Sequence, residues 1–213
     1  MKRHYLFWVL ILCFLLFSCF GPSPNVTDTS MEIIDPTLDP IQINLSNAEP
    51  IHLEAKKLDA VLFPKAEYKI RAIVVSKKKY TSGDWTINIS NWDLALAWGL
   101  LAENDNYKEI DFSQRGRWYY FNVDADDPVS LDEVYKNSAN THIIHATPNI
   151  KYAVSKIRKG DVVYLEGYLV YVSGTYKGRD IWWNSSLSRT DRGDGACEIL
   201  YLQRMIHNGN VYE

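Results

Sequence analysis

Val162–Val172 reads VVYLEGYLVYV. β-Branched and aromatic side chains dominate the stretch, and apolar residues fall on both faces of its alternation, the pattern of a strand covered on two sides. Such a strand belongs at the centre of a sheet. Gly167 interrupts it midway and predicts a bend or bulge that lets the strand curve toward a barrel. Downstream, Gly174 and Gly178 bracket a hairpin turn, and Arg179–Ser185 returns as a strand with Trp182 and Trp183 on opposite faces. Asn184–Glu198, NSSLSRTDRGDGACE, is a polar connection. Ile199–Ile206 is then a last strand, before a polar tail from His207. Upstream, Ala66–Ser76 (AEYKIRAIVVS), Arg117–Val123 (RWYYFNV) and Thr141–Thr147 (THIIHAT) also read as strands. The expected fold is mainly β with short helices, a curved antiparallel sheet closing to a small barrel of the OB or SH3 type.

Helical signals are few. Asn91–Glu103, NWDLALAWGLLAE, has apolar spacing compatible with a short helix capped by Ser90 or Asn91, though Gly99 leaves an aromatic-lined loop open. Ser130 followed by Glu133 is a capping box for Leu131–Asn137. Ile150, Ala153, Val154 and Ile157 recur at helical spacing after Asn149, the expected cap of a helix running to Arg158 and closed by Gly160.

The chain has 213 residues, with 14 Tyr and 7 Trp. Lys2 and Arg3 precede an apolar run from Tyr5 to Phe17, followed by Ser18 and Cys19, which is a secretory leader in outline. Leu16–Cys19 has the form of a lipobox whose cysteine would carry lipid, with Phe17 as its departure, and Cys13 is a poorer second site. The competing reading is an uncleaved signal anchor, for which the run is short. Residues 20–50, rich in Pro, Asn, Thr and Ser, are expected to form a flexible tether in which Ile41–Leu45 could add an edge strand. Residues 51–213 then make one β-rich domain. The expected location is the bacterial cell envelope, with the body anchored at a membrane through lipid and facing the extracytoplasmic side. Outside the leader 21 basic residues face 26 acidic ones, a balance that argues against a nucleic-acid partner.

Candidate chemistry concentrates near the polar connection. Cys197 is the only cysteine after Cys19, so the domain can form no internal disulfide. A thiol enzyme would pair Cys197 with His142 as base and Asp191 or Glu198 as orienting acid. A small core residue beside Ala196 is the commoner fate of such a cysteine. His142 and His145 fall on opposite faces of a strand, which disfavours a shared metal. Asp124, Asp126 and Asp127 lack the remaining pattern of a calcium loop. Ser185, Ser186 and Ser188 lack a nucleophile elbow. Arg189, Asp191, Arg192 and Asp194 alternate in sign as in a self-paired turn, and the tripeptide Arg192-Gly193-Asp194 reads as coincidence. Trp182, Trp183 and Arg189 are the candidate ligand-binding residues, since aromatic faces stack on sugars and apolar surfaces. A β core also consumes tryptophan, and the core is the commoner use. No cofactor or metal is expected.

Five blocks resemble a family of bacterial envelope proteins with no assigned function: DLALAWG at Asp93–Gly99, GRWYYF at Gly116–Phe121, SANTHII at Ser138–Ile144, GDVVYLEGYLV at Gly160–Val170 and SSLSRTDRGDGACEILYL at Ser185–Leu202. They cover most of the chain from Ala66 to Arg204. His145 stands where that family usually has proline. His142, Arg189, Asp191 and Cys197 match its pattern, but the resemblance implies no role for them. The leading expectation is a membrane-anchored envelope lipoprotein that binds or assembles with an envelope protein or a glycan. The alternative is a thiol-dependent hydrolase or transferase using Cys197 with His142.

Overall fold

The computed structural model describes residues 35–213, apart from 56. The leader and the lipidation candidate Cys19 lie outside the described residues. Among the described residues no helix is long and apolar enough to cross a membrane.

The chain is mainly β. In order it forms β1 (Ile41–Asn44), β2 (Ile51–Ala55), β3 (Leu58–Lys79), β4 (Trp92–Ala97), β5 (Asp111–Arg115), β6 (Trp118–Asn122), α1 (Leu131–Lys136), β7 (Ser138–His145), α2 (Pro148–Lys156), β8 (Val162–Tyr176), β9 (Arg179–Asn184), β10 (Glu198–His207) and β11 (Asn210–Tyr212). Strands β3, β4, β7, β10 and β8 pair in that order, and β8 pairs back onto β3, so the curved sheet closes into a ring. The ring is not a regular barrel. Its β7–β10 pair is parallel, the other pairs are antiparallel, and the register slips in β3 at Pro64/Ala66 and at Val74/Ser76 and in β10 at Leu202/Arg204. β1 and β2 add to β3, and β9 adds to β8. The edge strand β1 arises within the stretch read as a tether.

Burial follows the pleat. Along β3, Ala66, Tyr68, Ile70, Ala72 and Val74 point into the ring, where they meet Leu94 and Leu96 of β4, Leu165 and Leu169 of β8 and Leu200 and Leu202 of β10. α2 packs Ile150, Ala153 and Val154 into the same core. Its N-cap is Thr147, whose side chain accepts from the Ile150 N–H at 3.2 Å, with Pro148 in the first turn. Asn149, expected as the cap, instead donates to the Glu213 carbonyl. At the other end the Lys77 ammonium donates to the carbonyls of Val154, Ser155 and Ile157 around the last turn, where Val154 also accepts from the Ile157 N–H. The Ser130–Glu133 capping box forms as expected at α1.

Three expectations need correction. Trp92–Ala97 is a strand, not part of a helix. It is buried on both faces, Leu94 and Leu96 inward and Ala95 and Ala97 under a second apolar layer, so its run of apolar residues mimics a buried helix. Gly174 lies inside β8, not at its turn. A side chain there would meet the Asp59 carbonyl oxygen of β3 at 2.1 Å, so the close strand approach requires glycine. The turn is Lys177–Gly178, with φ of 52° and 75°. Finally, the tail from His207, read as polar, turns at Asn208–Gly209 and returns as β11 on β10, where Val211 and Tyr212 are buried.

The second layer is what shapes the surface. β5 and β6 form a hairpin closed by Gly116–Arg117, both with positive φ. Phe112, Ile110, Val129 and Val134 seat this hairpin and α1 on Ile73, Val75, Ala95 and Ala97 outside the ring.

Candidate functional site

The outer face of β4 and β7 carries an unusual polar row. Asp93 stands directly opposite His142 across the antiparallel pair, and Asn140 and Ser138 follow on the same side of β7. All four are buried. Hairpin β5–β6 covers them and supplies partners. The Arg117 guanidinium donates to Asp93 Oδ1 at 2.8 Å, to Thr86 Oγ1 at 2.9 Å and to the Ser90 carbonyl at 2.7 Å, and it stacks on Tyr80 at 4.3 Å. Asn140 Nδ2 donates to the Arg117 carbonyl at 2.8 Å, while its Oδ1 accepts from Gln114 at 2.7 Å. These bonds fix the hairpin over the ring.

Two neighbouring cavities open beside the hairpin. One, of about 310 Å³, has Trp98, Trp118, Tyr119, Phe121 and Tyr135 in its walls, with Arg189, Asp191, Arg192 and Glu198. The other, of about 570 Å³, has Trp85, Trp118, Trp182 and Trp183, with Asp84, Arg117, His142 and Asp194. Trp118 and Cys197 belong to both. Five of the six tryptophans outside the leader therefore line this cleft. The sixth, Trp92, lies under the Lys77 ammonium at 4.1 Å. Trp98 is 1% exposed within the core, and Trp85, Trp92 and Trp183 pack against core clusters, while Trp118 and Trp182 are 39% and 71% exposed.

The sequence-chosen residues separate on inspection. Cys197 and His142 do share the larger cavity. The acid beside His142 is Asp93, its Oδ1 2.9 Å from Nδ1, and not Asp191 or Glu198. That contact is too bent for a hydrogen bond, since Nδ1 is among the buried atoms with no such partner. The His142 ring lies 4.7 Å from Trp183. Asp191 is exposed and accepts from Ser186 Oγ at 2.6 Å. Burial, and then the carboxylates of Glu198, Asp93 and Asp191, push the Cys197 thiol up to about 12 against the single opposing bond from Asn140. At neutral pH it is a thiol, the wrong state for a nucleophile.

Arg189 reaches back from the polar connection. It pairs with Glu198 Oε1, donates to Gln42 Oε1 of β1 at 3.0 Å and to the Tyr68 hydroxyl at 3.4 Å, so it fastens the loop to the ring. Arg192 donates to Asp132 at 2.5 Å and stacks on Tyr135 at 4.2 Å, which ties the Arg192-Gly193-Asp194 tripeptide to α1. Ser186 accepts from the Ser188 N–H as part of the same turn. Among the described residues no group of three His, Cys, Asp or Glu side chains could hold a metal ion. Sequence reasoning missed Asp93, Arg117, Asn140 and the aromatic wall of β6. The available signal was the lone carboxylate in NWDLALAWG, because a charge inside an apolar strand needs a partner.

Glu198 is 2% exposed, and burial, opposed by Arg189, pushes its carboxyl up from the usual 4.5 to about 7. Between those values the folded protein holds a proton that the unfolded chain has lost. Stability from this group is complete below pH 4.5 and falls as pH rises through 7. His145, held down to about 4 from 6.5 by burial and then by Lys151, works oppositely: its stability is present above 6.5 and is lost as pH falls toward 4. Chemical denaturation across this range should show Glu198→Gln gaining on the unchanged protein as pH rises through 7. A constant difference between the two would refute the shift.

Against known proteins, the chain matches no family model, no curated protein and no solved structure.

Proposed function

We propose that the protein is a ligand-binding module of the bacterial cell envelope, held at a membrane through an acylated Cys19, and that its ligand is a glycan seated in the tryptophan-lined cleft. The concentration of five of six tryptophans in that cleft carries the reading. Sugars offer flat C–H faces for aromatic stacking and hydroxyls for the polar rim. Small five-stranded barrels of the OB type are used for both oligonucleotides and oligosaccharides. Here charge decides between them. Arg117, Arg189 and Arg192, the arginines of the cleft, are each paired with a carboxylate, Asp93, Glu198 and Asp132, which leaves little positive charge for a phosphate backbone. The envelope location rests on Lys2, Arg3 and the apolar run that ends at Ser18-Cys19, together with the resemblance to envelope proteins. The high thiol pKa of Cys197 weighs against a thiol hydrolase or transferase, although His142 stands in the same cavity.

The test is a titration of intrinsic fluorescence with peptidoglycan fragments and a panel of other glycans. Saturable quenching is expected, with Trp182→Ala weakening it about tenfold, since that ring is a free-standing stacking surface. Trp182 is 71% exposed, so its loss should leave the melting temperature unchanged. Silence across the panel would reject the glycan.

A further inference from the structure

The two cavities are not independent hollows. Trp118, at the start of β6, and Cys197, just before β10, stand in the walls of both, so the two adjoin at these residues. The smaller volume, about 310 Å³, is at the low end of the roughly 300–1,000 Å³ of small-molecule sites and suits a single sugar residue. The larger, about 570 Å³, carries the exposed Trp182 and leads outward.

Two residues in the wall of the smaller cavity also carry a buried polar atom that has no hydrogen-bond partner. Glu198 is 2% exposed; Arg189 occupies its Oε1, and its Oε2 has no hydrogen-bond partner. Trp98 is 1% exposed, and its Nε1–H has none either. An unpaired buried polar atom costs about 1–3 kcal/mol, so an acceptor and a donor left open on two residues of one cavity wall would be relieved by a neutral group that carries one of each.

We propose that the cavities are consecutive subsites for one glycan chain of at least two residues, and that the smaller subsite takes a 2-acetamido sugar. This rests on the glycan reading of the cleft. The acetamido N–H would donate to Glu198 Oε2, its carbonyl would accept from Trp98 Nε1–H, and its methyl would lie against the aromatic wall. A neutral amide leaves the Arg189–Glu198 pair balanced. The second residue of the chain stacks in the larger subsite against Trp182.

Calorimetric titration of the full-length protein with N-acetylglucosamine, chitobiose, glucose and cellobiose separates the parts. Chitobiose should bind about tenfold or more tighter than N-acetylglucosamine, and Trp182→Ala should erase most of that gain while leaving the monosaccharide affinity in place. Chitobiose should also exceed cellobiose about tenfold, and Trp98→Phe, which removes the indole N–H and keeps a ring, should collapse that preference. Glu198→Gln is the companion variant should the phenylalanine disturb the core, and loss of the same preference is expected. Equal affinity for the mono- and disaccharide would overturn the paired subsites. Equal affinity for chitobiose and cellobiose, or a preference that survives both variants, would overturn the acetamido pocket. If none of the four sugars binds and the wider glycan panel is also silent, the glycan reading itself fails.

Discussion

Replacing Arg117 with alanine should destabilise the protein by about 3–5 kcal/mol, the usual consequence of stripping one partner from a buried ion pair. Asp93 is 0% exposed, and after the substitution its carboxylate would keep only uncharged neighbours, the Tyr80 hydroxyl and His142 at the 2.9 Å contact, with no cation beside it. The same change removes the guanidinium donor from the Ser90 carbonyl and from Thr86 Oγ1, which keeps only its own bond to Asp84. It also removes the stack on Tyr80 and loosens the turn whose carbonyl holds Asn140. Arg117→Lys should recover little, because one ammonium cannot span three acceptors arranged for a planar fork. Asp93→Asn in the Arg117→Ala background should recover part of the loss, since it removes the uncompensated charge. Urea denaturation of the four proteins measures this directly. A loss under about 1 kcal/mol for Arg117→Ala would mean that the pair is solvated in solution, like an ordinary surface bridge.

That pair also shows which features could be read from the sequence and which could not. VVYLEGYLVYV identified a strand covered on both sides because period-two burial is local and needs no partner. The capping box at Ser130 is local for the same reason. Trp92–Ala97 was ambiguous because burial on both faces erases the alternation that separates strand from helix; only its pairing with β3 and β7 resolves it. Asn208-Gly209 was legible in principle as a hairpin turn, but three residues of β11 are too few to show a period. The cleft was legible only in composition. Trp182 and Trp183 stood out, but Trp85, Trp98 and Trp118 come from separate parts of the chain, and nothing local shows that the closed ring and the hairpin bring them together. Asp93 finds Arg117 across 24 positions for the same reason.

Gly167→Ala is the second substitution expected to cost heavily, about 3 kcal/mol or more, at the upper end of overpacking effects. A Cβ at position 167 would lie 2.0 Å from the Tyr201 carbonyl oxygen, 3.0 Å from its carbon and 3.2 Å from the Gln203 nitrogen. All three are backbone atoms, so no rotamer change relieves the clash. Gln203 is the residue skipped where β10 slips register against β8, between Leu202 and Arg204, and Tyr201 lies just before it. The bend predicted from Gly167 therefore has a specific form: the bulge is in β10, and the missing side chain on β8 lets its backbone come close. Moving β10 away would also disturb its parallel pairing with β7, which begins at Glu198 and Thr141, and with it the floor of the smaller cavity. Gly178→Ala is the matched control. Nothing lies within 4 Å of its Cβ, and the strain of its φ of +75° alone should cost roughly 1 kcal/mol. Thermal unfolding of the two variants should therefore place Gly167→Ala far below Gly178→Ala. If the two melt together, the ring does not close as tightly at the bulge as these distances require.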